Sequence, residues 1–345
     1  NAHGEIDNAA GDLGPNFGTL QNNESGLWAQ QTGTGDIVIN TYGLSIGAGN
    51  GTLDYGIYAR TFGGNIGIVT GTGAVNGGDD GIHAQLTGGS GNVVVTTGGN
   101  VTSLTSDGVD ATSTGTGTVT VNVGGNITAG DGGGDDGVFA SGTGGTGLVK
   151  ANVTAVVTVS GTDDGIDVTS SGPGGVEVDT VAGSNILAGA GAGNDGIVAT
   201  ETGGVGAGGV LVAAAGNTGD GTPVGDIGID AAITNVLNTS DVTATGNGNI
   251  SSAGNGIDAS TVGLGFVTVN YGTAANVTMV AGPIGINANI NNGLNSDAVQ
   301  VFVGDLTGQT TSITATTEGV HAETTGTGFV TTTLGNNVTI DPDDY

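Results

Sequence analysis

An all-β fold, a single-domain parallel β-helix (β-solenoid) of about eleven coils with three short strands each, is what the sequence predicts. Three observations carry that expectation. The phrase G-[I/V/L]-x-A recurs every 25–34 residues, the apolar residues between the phrases alternate with period two, and glycine supplies 75 of the 345 residues. A repeat of this length marks a solenoid, because no single unit can bury its own apolar face. Alternation in β-branched residues, as in Val93-Val95, Val119-Val121-Val123 and Val299-Val301-Val303, belongs to half-buried strands and not to helices. So much glycine would ruin helices, but it suits β corners that need positive φ.

The first strand of each unit is the anchor phrase. It begins at Gly26, Gly56, Gly81, Gly108, Gly137, Gly165, Gly196, Gly228, Gly256, Gly285 and Gly319, with GIDV at Gly165 departing at its last position. Within it, Ile82 and Ala84 face inward and His83 outward. The second strand is the valine-rich run, and the third is a short N-V-T or N-I-T phrase, at Asn100, Asn126, Asn276 and Asn337. Strands this short, followed at once by turns, pair in parallel with their equivalents one repeat away. Rungs about 4.8 Å apart would make eleven coils a rod roughly 50 Å long. Right-handed coiling is expected from the general preference for right-handed crossovers.

Along the chain, residues 1–25 lack the anchor phrase and read as an irregular first coil or cap. Residues 26–345 read as the β-helix. The stretch 215–226 (AGNTGDGTPVGD), with Pro223 and no alternation, is expected to be a corner insertion. A start at Asn1 without Met or a leader suits a processed or excised piece. The edge near Tyr345 calls for more chain or another subunit to cover it.

A formal charge of −30, with Arg60 and Lys150 the only basic residues besides three histidines, excludes nucleic acid as a partner. No 18-residue apolar run exists, so no direct membrane insertion by a helix is expected. Without cysteine there are no disulfides and no thiol chemistry. Low lysine and the acidic surface favour an extracellular protein.

Two ladders of outward side chains are the candidate sites. Asp79, Asp80, Asp107, Asp135, Asp136, Asp163, Asp164 and Asp195 precede the anchor glycines and would stack on one edge. Carboxylates at that spacing repel, and Ca²⁺, which takes six to eight oxygen ligands, would relieve them. The alternative is that Asp is the residue a tight corner prefers. The second ladder is the x of G-I-x-A. In order it reads Trp28, Tyr58, His83, Asp110, Phe139, Asp167, Val198, Asp230, Asp258, Asn287 and His321. Trp28, Tyr58, His83 and Phe139 could present flat faces to a ligand, or simply stack on one another. The N-x-[S/T] phrases are formally glycosylation sequons but read better as Asn ladders at a left-handed corner. No catalytic constellation is legible: His3, His83 and His321 lack metal-ligand spacing, and the Gly-rich phrases lack a strand-to-helix context for phosphate. An enzyme is not expected.

Repeats of the form D-G-I-x-A-x-x-x-G-x-G-x-V-x-V-x-x-x-G-N-V-T, over roughly Ser25–Ile340, resemble passenger domains of bacterial autotransporters (type V secretion) of the Gly/Thr/Val-rich kind. The resemblance implies a right-handed β-helix exported across the outer membrane of a Gram-negative bacterium and displayed there, often as an adhesin. The carboxy-terminal translocator barrel of that family does not occur in this sequence. Two functions are therefore expected: an adhesin-like rod that meets glycans or surface proteins of a host or matrix, or a self-assembling subunit of an extracellular filament whose partner is a second copy.

Overall fold

The computed structural model describes residues 25–47, 55–130, 133–145, 147–305 and 308–342. Residues 1–24, expected to form the irregular cap, lie outside the described residues, and Ser25 already opens the first strand, Ser25–Gln31. All regular structure among the described residues is β, in a parallel solenoid of about ten turns with three strands per turn. The chain divides into two compact units between Gly174 and Gly175.

In the first unit each anchor strand pairs in parallel with the next. Ile57, Ile82, Val109, Val138 and Ile166 form one in-register column, and Ala59, Ala84, Ala111, Ala140 and Val168 another. All ten are shut off from solvent. The second strands stack Ile66 on Val93, Val119 and Val149, and the third strands stack Val75 on Val101, Ile127 and Val159. The second unit repeats the plan, with Ile197, Ile229, Ile257 and Ile286 along its anchor strands and Val210, Val242, Val267 and Val299 along its second strands. Alternating burial in nearly every strand is the period-two signal made physical: one face fills the bore and the other faces out.

Corners are closed by a recurring device in which a side-chain oxygen of one coil accepts the backbone N–H of the next. Asp36 takes the amide of Asn65 at 2.7 Å, Asn65 that of Asn92 at 2.9 Å, and Asn92 that of Thr118 at 2.9 Å. Asn126 and Asn276, the Asn of the N-[V/I]-T phrase, do the same for Thr158 and Thr310. The expected left-handed backbone occurs only at the fourth such residue, Asn337, with φ 56°. These side chains are therefore chosen for rung-to-rung hydrogen bonding more than for their backbone conformation.

One other expectation is corrected. The stretch 215–226 contains a third strand, Asn217–Thr218, paired in parallel with Asn185–Leu187, and Val224 bridges Ser252. Only the bend around Gly219–Pro223 is an excursion. The sequence does not signal this strand because its inward residue is Thr218, whose buried Oγ1 has no hydrogen-bond partner, where the neighbouring rungs carry Ile186 and Ile250. The anchor glycines, moreover, are not there for positive φ. None of them has it, although other corner glycines such as Gly43, Gly71 and Gly89 do. A Cβ on Gly81 or Gly108 would stand 2.6 Å from the carbonyl oxygen of the next anchor glycine, and it would also meet Val101 or Ile127 of the third strand. Close approach of backbones between coils, not backbone conformation, selects glycine there.

Candidate functional site

The aspartates before the anchor glycines use the corner device. Asp107 Oδ1 accepts the Asp136 N–H at 2.8 Å, and Asp136 Oδ1 accepts that of Asp164 at 3.0 Å. In the second unit Asp195 Oδ1 accepts the Ile227 N–H at 2.7 Å. Asp79 takes the hydroxyl of Tyr55, whose own pKa is pushed up to about 12 by burial and by Asp79 and Asp80. Asp80, Asp135, Asp136 and Asp195 are buried; Asp79, Asp107, Asp163 and Asp164 are half-buried. The corner-residue reading thus has direct contacts at several rungs. Among the described residues, the eight aspartates supply just one member, Asp80, to any set of three His or carboxylate groups whose ligand atoms lie within 4.8 Å of one another.

Burial, with repulsion from neighbouring carboxylates, raises the pKa values of Asp107, Asp136 and Asp167. Burial, then the neighbouring Asp107, Asp164 and Asp167, pushes Asp136 up to about 9. Asp107 reaches about 7, because burial outweighs its hydrogen bond from the Asp136 amide, with Asp110, Asp80 and Asp135 adding repulsion. Asp167 rises to about 6 through burial, although Thr169 donates a hydrogen bond to it. Raised values of this kind let part of the row hold protons near neutral pH, which relieves repulsion between its carboxylates.

The second ladder is in register from Trp28 through Tyr58, His83, Asp110 and Phe139 to Asp167. Trp28 and Tyr58 stack with ring centroids 3.9 Å apart and planes 13° from parallel, and Tyr58 stacks on His83 at 5.2 Å and 6°. Tyr55, which sequence reasoning passed over, leans against both Tyr58 and His83 at 5.1 and 5.3 Å. Tyr58 is only 8% exposed, so the expected open aromatic face is closed at its centre by the neighbouring rings. Phe139 does not join the stack, because Asp110 occupies the rung between it and His83. In-register rungs bring flat side chains to stacking distance, which spends their faces on one another.

The two ladders meet at one place. The residue before an anchor glycine and the outward residue two positions after it come together side by side. Asp80 pairs with His83 in this way, Asn255 with Asp258, and Glu318 with His321. At His83 the next rung joins as well: Nδ1 lies 2.9 Å from Asp80 Oδ2 and 2.8 Å from Asp110 Oδ2. Burial works against a charge on this imidazole, but the hydrogen bonds and charges of Asp110 and Asp80 outweigh it and raise His83 to about 9. Burial also pushes Asp110 up, while His83 pulls it back. Asp110 was visible as a ladder member but not as a partner. Simple alternation would put residues three apart on opposite faces of a strand; the bend at Gly81 brings them together.

A further feature lies on the second unit, at the turns between first and second strands. Asn238 and Asn295, both fully buried, donate from Nδ2 to two carbonyls of the preceding coil, Gly203 and Gly208 for one and Gly263 and Gly265 for the other. The turns they fasten raise apolar side chains into solvent: Val205 is 82% exposed, Leu237 58% and Leu294 87%. The shared phrase N-x-L-N, at Asn235–Asn238 and Asn292–Asn295, was the available signal. Comparison with protein-family models, with curated proteins and with solved structures finds no match to the chain.

Proposed function

We propose that this chain is a non-enzymatic, adhesin-like β-solenoid of the autotransporter-passenger type, secreted or displayed at the surface of a Gram-negative bacterium. The observation that carries the reading is the set of exposed apolar side chains at four of the turns between first and second strands of the second unit, Val205, Val236, Leu237, Leu294 and Phe329. Exposed apolar groups repeated at fixed positions mark interaction surfaces, and turns pinned by buried asparagines present them at little entropic cost. On a chain of charge −30, short-range apolar contact with a protein surface is the interaction that charge does not oppose. The half-buried Trp28 and Phe139 are the aromatic alternative and would suit a glycan.

Binding of the purified protein to immobilised matrix proteins, host-cell surfaces and glycans tests both. The double substitution Leu237→Asp and Leu294→Asp is expected to abolish protein binding, while Trp28→Ala leaves it intact. Binding lost only in Trp28→Ala would move the site to the aromatic column. If no tested surface is bound, the adhesin reading fails.

A filament subunit is the second reading. Val330 and Leu334 lie in register with the buried Val299 and Val303 yet are 42% and 51% exposed. A further rung, from a continuation of the chain or from a second copy, would bury them. Electron microscopy with calcium and with chelator decides: filaments with a regular axial repeat are expected on this reading, and separate particles at every concentration would remove it.

A further inference from the structure

We propose that Asp80, His83 and Asp110 form a binding site for one divalent transition-metal ion of the zinc class, held by an imidazole nitrogen and two carboxylate oxygens. One ligand atom from each residue already lies within 4.8 Å of the other two, and His83 Nδ1 is in direct contact with the Oδ2 atoms of Asp80 and Asp110. Around a tetrahedral ion with bonds of about 2.0–2.1 Å, ligand atoms stand about 3.3 Å apart. The present separations of 2.9 and 2.8 Å therefore need to open by only a few tenths of an ångström, within reach of small side-chain rotations.

Electrostatics and hydrogen bonding favour an ion at this point. Without one, a single N–H at Nδ1 serves two carboxylates, and the buried Oδ1 of Asp110 has no hydrogen-bond partner at all. Asp79, next in sequence to Asp80, adds a further acidic group close by. A divalent cation would neutralise what one proton cannot.

The donor set selects the class of ion. Imidazole nitrogen with two carboxylates suits zinc and its neighbours, whereas calcium asks for six to eight oxygens. The support is rigid. Ile82 and Ala84, on either side of His83, are fully buried, and the imidazole lies flat against Tyr58 with Tyr55 at its flank. Because Asp80 and Asp110 belong to successive rungs, the ion would clamp two coils together.

Zinc chloride titrated into chelator-stripped protein tests this, by calorimetry and thermal unfolding, in high salt with excess Mg²⁺ to saturate the other carboxylates. One zinc per chain and a raised unfolding temperature are expected. His83→Gln and Asp110→Asn should each lose both effects, and Ca²⁺ at the same concentration should produce neither. No saturable binding, or binding that survives both substitutions, would overturn the site. Should His83→Gln fail to fold, Asp110→Asn and the Co²⁺ absorption spectrum of the unaltered protein decide. A spectrum of hexa-aquo cobalt alone would overturn the proposal, and a tetrahedral nitrogen–oxygen spectrum would uphold it.

Discussion

Thermal unfolding of the metal-free protein will shift to higher temperature as the pH falls from 9 towards 4, the reverse of ordinary acid denaturation. The cause is the carboxyl row. Asp107 and Asp136 have folded-state pKa values of about 7 and about 9, against 3.8 ordinarily, and Asp167 about 6. Across the interval between the two values the folded chain keeps protons that the unfolded chain has released. Stability from these groups is therefore complete below about pH 4 and is lost as the pH rises through about 6–9. His83 acts in the same direction: raised from 6.5 to about 9, it contributes fully below 6.5 and loses that contribution as the pH passes about 9. Relief of the net charge of −30 adds to the trend.

A pKa unit corresponds to about 1.4 kcal/mol, and neighbours share their protons, so a total of several kcal/mol and a rise of about 5–10 °C between pH 8 and pH 4.5 are expected. Scanning calorimetry in chelator checks this, and a stability maximum between pH 6 and 8 would contradict it. Asp136→Asn keeps an oxygen for the Asp164 amide and removes the titration. It should raise the unfolding temperature at pH 8 and leave it unchanged at pH 4.5.

Gly108→Ala is the second large effect. The added methyl would stand 2.6 Å from the Gly137 carbonyl oxygen and would also strike Ile127 in the bore. Neither neighbour is the free end of a flexible side chain, so two coils must separate locally, at a cost of about 3 kcal/mol. Two controls isolate the mechanism. Gly206, with φ +80° and nothing within 4 Å of its Cβ, should lose about 1 kcal/mol as Ala, from backbone conformation alone. Gly67 lies mid-strand without positive φ and has open space above it, so Gly67→Ala should be neutral or slightly stabilising. Denaturant midpoints rank the three. If Gly108→Ala and Gly206→Ala prove equally costly, close approach between coils is not what keeps the anchor glycine.

Much of the candidate site was legible as residues but not as an arrangement. Asp80 and His83 stood in separate ladders, and Asp110 was one more entry in the second. Their convergence depends on the direction the chain takes at Gly81, which alternation does not encode. The order of the aromatic column could be read from the repeat, since register follows from equal phrases. That Tyr58 ends up covered could not be, because it depends on how the flanking rings tilt. The exposed apolar turns of the second unit went unseen because a lone Leu between asparagines carries no periodicity.

The sequence by itself determined the all-β class, the parallel pairing, the three strands per coil and the inward residues. Each of these is a local pattern repeated at a regular distance, and burying an apolar face one residue in two leaves a parallel stack as its solution. Tertiary structure alone decided why glycine holds the anchor position, which aspartates cap a neighbouring coil, and where an imidazole meets two carboxylates. Those are contacts between coils some 25–34 residues apart. Their geometry is set across the gap between rungs, where a few tenths of an ångström separate a hydrogen bond from a clash.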